Sequence, residues 1–106
     1  MKQNDLIRIL GDVITDVDVL RSEFSRTTDN RRRLDDIRDE LDGFQRRILR
    51  NLIDVNTSQF AELADSLTDA NKELKQTIAE VDKVADTLET LVKFVGVVQK
   101  IVELIP

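Results

Sequence analysis

Between Phe60 and the C-terminus the apolar residues fall on a seven-residue repeat. Stepping by seven from Phe60 gives Leu67, Leu74, Val81, Leu88, Val95 and Val102, all apolar. The companion positions three residues on are Leu63, Ala70, Thr77, Val84, Leu91, Val98 and Ile105, with Thr77 the only exception. No Pro interrupts the run, and so sustained a repeat predicts helix with an apolar seam turned toward other helices. The N-terminal part carries a matching stripe at Leu6, Leu10, Val13, Val17, Leu20 and Phe24, thickened by Ile7, Ile9 and Ile14. Asn4 or Asp5 is the expected N-cap of that first helix.

A polar stretch, Ser25 to Arg33, follows without an apolar residue, and the stripe resumes at Leu34, Ile37, Leu41, Phe44, Ile48, Leu52 and Val55. Two readings compete for it. Either it is a loop with Thr28 or Asp29 capping a second helix, or it is a solvated part of one long helix. The absence of Gly and Pro, together with three adjacent arginines, favours continuity. The strongest turn signal is Asp54-Val55-Asn56-Thr57-Ser58, where Asn56 followed by Gln59 resembles a capping box.

These signals predict an all-α fold in a single domain, 1–106: a long antiparallel, coiled-coil-like helical hairpin. Arm 1 covers about 4–54, the turn about 54–58 and arm 2 about 58–105. Each arm would be about 70–75 Å long at about 1.5 Å per residue. Such a hairpin is expected to dimerise into an elongated four-helix bundle, its arms pairing within a chain or between chains. Alternatives are a three-helix arrangement with a loop near 25–31, or a shorter four-helix bundle broken near Asp69.

Charge sharpens this picture. All ten arginines precede the turn, whereas residues 57–90 hold eight acids against three lysines. Folding the arms together sets Arg31 and Arg33 opposite Asp82 and Glu80, and Arg46, Arg47 and Arg50 near Asp65 and Glu62. Exposed pairs of this kind set orientation and partner choice more than stability. Aromatics are only 4% of the chain, which suits a slender bundle lined by Leu, Ile and Val.

Candidate chemistry is sparse. Asp35, Asp36, Asp39 and Glu40 form an acidic cluster, but flanking arginines make it a salt-bridged helix face before a cation site. The net charge of −5 and the lack of aromatics among the arginines argue against nucleic acid. There is no His or Cys, no Gly-rich phosphate loop and no nucleophile motif, so no enzyme and no cofactor are expected. The N-terminal residues do not read as a secretory signal, and no apolar run is long enough to span a bilayer, so a cytoplasmic place is expected.

The segment from Leu91 to Ile105 is apolar over two thirds of its circumference, leaving Lys93, Gly96, Gln99, Lys100 and Glu103 on the remainder. A two-stranded coil needs a narrower stripe, so this helix requires more than one neighbour. The expected function is a non-enzymatic, self-associating scaffold or adaptor, its partners being itself and another protein. Its seam would be Leu67, Leu74, Val81, Leu88, Leu91, Val95, Val98 and Val102. The alternative is a membrane-active hairpin working through 88–105, with Phe94, Val97, Ile101 and Leu104 toward the lipid. On either reading Leu67→Asp or Leu88→Asp dissociates or unfolds the protein, because a charge in the seam costs several kcal/mol. Asp36→Ala does little, and denaturation curves of the three variants check both statements.

Overall fold

The computed structural model describes residues 1–106. It is all-helical, with four helices in an up-down-up-down bundle: α1 (Gln3–Arg21), α2 (Asp29–Leu49), α3 (Ser58–Lys75) and α4 (Val84–Val102). A single 3₁₀ turn, Val81–Lys83, leads into α4. The main packing runs α1 on α2, α2 on α4 and α4 on α3.

The long arms are absent. Arm 1 is interrupted after Arg21 and arm 2 after Lys75, and the molecule measures 42 × 24 × 17 Å. In the first break, hydroxyl side chains take over the backbone groups that would have continued the helix. Ser22 Oγ donates to the Val19 carbonyl at 2.6 Å and Thr28 Oγ1 to the Ser25 carbonyl at 2.7 Å. Thr28 then caps α2, accepting from the Arg31 amide at 3.3 Å. Short hydroxylated residues compete for the backbone in this way without help from Gly or Pro.

The second break falls at the one polar seam position. Thr77 lies in the turn after α3, and its Oγ1 accepts from the buried Thr87 Oγ1 at 2.8 Å. Ile78, 6% exposed, anchors the turn in the core, while Val81 is left 40% exposed. The two halves of the heptad repeat are thereby folded onto each other as α3 and α4, instead of running on as one seam.

The turn between α2 and α3 lies where its sequence signal places it. Asp54 Oδ1 accepts from the Asn56 amide at 3.0 Å, and Thr57 caps α3 by accepting from the Phe60 amide at 3.1 Å. The cap is Thr57, one residue beyond Asn56. Likewise α1 begins with Lys2 as its N-cap, and Asp5 acts from the third helical position by accepting from the Lys2 amide at 3.0 Å. Gly11 faces the end of the Gln45 side chain: a Cβ there would sit 3.3 Å from Gln45 Nε2.

Twenty-five apolar residues form one continuous core drawn from all four helices and the turns. In α4, Leu88, Leu91, Phe94, Val95, Val98, Ile101 and Val102 are all buried. The broad apolar face therefore finds its several neighbours, and they come from its own chain. Leu91→Ala is expected to cost about 2–5 kcal/mol. Its neighbour Val92, 56% exposed, should tolerate Ala within about 0.5 kcal/mol. Urea unfolding of the pair checks the assigned face.

Candidate functional site

Seven of the eight seam residues lie inside the chain's own core. Leu67, Leu74, Leu88, Leu91, Val95, Val98 and Val102 are buried, and only Val81 reaches solvent. A second copy cannot pack on side chains that already fill the monomer. The residues expected to face lipid also turn inward: Phe94 and Ile101 are fully buried, and Val97 and Leu104 are half-buried against the core. Both sets do form apolar faces, and both are covered within the chain, where α4 packs on α2 and α3.

The arginines are likewise paired differently from the arm-to-arm pattern. Every arginine ion pair goes to an aspartate of α1 or α2. Six of these contacts form one chain of alternating charge. Arg31 meets Asp35 at 2.9 Å, and Arg21 bridges Asp35 at 2.8 Å and Asp18 at 2.9 Å. Arg38 reaches Asp18 at 3.2 Å and Asp42 at 3.9 Å, and Arg46 closes on Asp42 at 2.6 Å. The chain works because α1 and α2 run antiparallel at a register that sets 18 beside 38 and 21 beside 35. Arg31 also donates to the carbonyls of Arg21 (3.3 Å) and Phe24 (3.2 Å), so it satisfies the end of α1 while pairing with its own helix.

Within this network the Arg21 hydrogen bond holds the Asp35 carboxyl below the usual carboxylate range, and Asp35 in turn raises Arg21. The acidic cluster is therefore divided. Asp35 is engaged by two guanidinium groups, whereas Asp36, Asp39 and Glu40 are exposed without ion pairs. No group of three or more His, Cys, Asp or Glu side chains is placed to hold a metal ion.

Two strongly exposed leucines lie at the end of the bundle that carries the α2–α3 turn. Leu49 is 59% exposed and Leu52 86%. Together with the half-buried Ile7 they line an open depression bordered by Lys2 and Arg50. Leu52 is not on a loose strand of chain. The Gln3 side chain donates to the carbonyls of Ile48 (2.9 Å) and Asn51 (2.6 Å), and accepts from the Ile53 amide at 3.2 Å. With Ile53 buried on one side of this clamp, Leu52 is held outward on the other.

Arg47 and Arg50 at the end of α2 form no ion pair, and neither do the exposed Glu62, Asp65 and Asp69, which follow one outer face of α3. Hydrophobic periodicity does not single out Leu49 and Leu52, because both occupy or adjoin positions of the α2 stripe. Only the end of α2 at Leu49 takes them out of the core.

The ion network gives a pH dependence of defined sign. A carboxyl lowered by folding stabilises the folded state above its ordinary pKa, and that contribution disappears as pH falls through the lowered value. The melting temperature is expected to drop below about pH 4, and Asp35→Asn should flatten the drop. Gln3→Ala, which removes three hydrogen bonds, should destabilise by about 1–3 kcal/mol in urea unfolding.

Set against family models, curated proteins and solved structures, the chain gives no match, and the reading of this surface rests on its geometry.

Proposed function

We propose that the chain is a non-enzymatic, self-associating adaptor, a closed four-helix unit that presents the α2–α3 end to a partner. The observation that supports it most directly is Leu52, 86% exposed on backbone fixed by Gln3. An isolated surface leucine needs no explanation, but one pinned beside a second exposed leucine and the unpaired Arg50 makes an anchor for binding. The core needs no partner to be complete, so association would join finished bundles instead of completing half-formed ones.

The membrane-active reading through 88–105 gains nothing from this arrangement. Phe94 and Ile101 would have to leave the core to touch lipid, and no helix is long and apolar enough to cross a membrane. Sedimentation velocity over about 1–200 µM, the range where modest interfaces assemble, tests the adaptor reading. The expected result is a mass rising from that of one chain, 12.2 kDa, toward twice that value. A single unchanging species of one chain's mass overturns it.

A further inference from the structure

We infer that the depression at the α2–α3 end receives a short acidic peptide segment, whose apolar side chain rests on Leu49 and Leu52 while its carboxylates meet Lys2 and Arg50. The inference rests on the reading that this end is presented to a partner, and it names that partner's chemistry. Three observations carry it. The first is the lining of the depression, where Ile7, Leu49 and Leu52 are the apolar members and Lys2 and Arg50 the only charged ones. A chain of net charge −5 thus surrounds its apolar opening with cations alone.

Second, both cations are unspent. Neither Lys2 nor Arg50 takes part in any ion pair of the chain. The carboxyl of Asp5 is turned to Arg8 at 2.9 Å and to the Lys2 amide at 3.0 Å, and that of Asp54 accepts from the Asn56 amide. The helix dipole accounts for a cation at Arg50, at the end of α2, but disfavours one at Lys2, the N-cap of α1. Lysine and arginine side chains carry donors and no acceptor, so the group that satisfies both is a carboxylate-rich one.

Third, the Gln3 clamp fixes the surface before a partner arrives, so little ordering accompanies binding. The clamp also occupies the carbonyls of Ile48 and Asn51 and the amide of Ile53. A visiting chain is therefore recognised through its side chains and not by strand addition.

The shape and the overall charge select a peptide over other anions. The depression holds about 540 Å³ but is open to solvent, whereas a free small ligand needs most of its surface covered. An anionic bilayer would gain about 1 kcal/mol from each of two cations while facing a chain of net charge −5. A short segment meets the depression alone, and acids beyond about 8 Å are screened from it at physiological salt.

Titration of the full chain with the capped hexapeptide Asp-Glu-Leu-Phe-Glu-Asp, followed by amide NMR shifts, tests this. The expected result is saturable shifts at Ile7, Leu49 and Leu52 with a Kd of about 0.1–1 mM. Binding of Lys-Arg-Leu-Phe-Arg-Lys and of Asp-Glu-Ser-Ser-Glu-Asp should be weaker by roughly tenfold. Leu52→Ser and Arg50→Glu should each weaken binding of the acidic peptide to a similar degree. Arg26→Glu, the same charge change in the α1–α2 loop, should leave it unaltered, with circular dichroism confirming that each variant is folded. No saturable shift at these amides, equal binding of the basic peptide, or indifference to both Leu52→Ser and Arg50→Glu overturns the inference. Shifts of the same amides on concentrating the chain without peptide put a second copy in the depression, which overturns the inference and leaves self-association standing. Peptide binding by a chain that sediments as a monomer at every concentration upholds the inference and overturns self-association alone. Flotation with phosphatidylserine vesicles that Arg50→Glu abolishes, without any peptide shift, assigns this end to lipid and overturns the inference.

Discussion

The architecture depends on covering α4. Its apolar face spans about two thirds of its circumference, so a single neighbouring helix leaves much of it in water. Leu91, Phe94, Val98 and Ile101 are nevertheless fully buried, because α2 packs on one side and α3 on another. That demand explains why the chain turns three times. Two straight arms would set α4 beside one helix, and the remaining face would need a second molecule. Folding each arm in half supplies the missing cover within 106 residues.

The corners are made with polar groups that the core cannot specify. At the α1–α2 corner, Arg31 holds two carbonyls of the preceding segment and a carboxylate of its own helix. The charge chain that starts there then fixes the register of α1 against α2. Each exposed pair adds little alone, but shared partners make a lattice whose geometry excludes other registers. At the opposite end Gln3 ties the first turn of α1 to the last turn of α2 and the residues after it. The α1–α2 hairpin is thus fastened at both ends by side chains that bridge backbone groups.

Much of this is legible in the order of residues alone. Periodicity marks the seam positions from Phe60 to Ile105 as core, and apart from Val81 and the partly covered Leu63, Thr77 and Val84 they are core. The turn near 54–58 and the need of α4 for several neighbours are legible too, because both follow from local composition and from periodicity. The breaks after Arg21 and Lys75 are less so: the loop with Thr28 as cap stands in the sequence only beside a continuous helix, and nothing but the polar Thr77 marks the second break. A heptad repeat has the same phase whether its halves run on or fold back onto each other, so Leu74 and Leu88 give no sign of the turn between them. In the polar stretch after Phe24 the lack of Gly and Pro suggests continuity, yet hydroxyl groups of Ser22 and Thr28 end and restart the helix. Charge pairing between arms misleads for the same reason: with long arms folded back once, Arg46 finds its carboxylate in Asp65, whereas Asp42 lies one turn away on its own helix.

The fold and the proposed interaction surface share a cause. Using the heptad seam inside one chain leaves few large apolar residues for a partner, and the Gln3 clamp presents Leu52 among them. Both depend on α4 being covered by its own chain. Amide hydrogen exchange of Leu91, Val95 and Val98, measured at decreasing protein concentration, tests this most directly. Cover from within the chain predicts strong protection that does not change with dilution into the monomer. Protection that fades on dilution would place the cover in another molecule and contradict it.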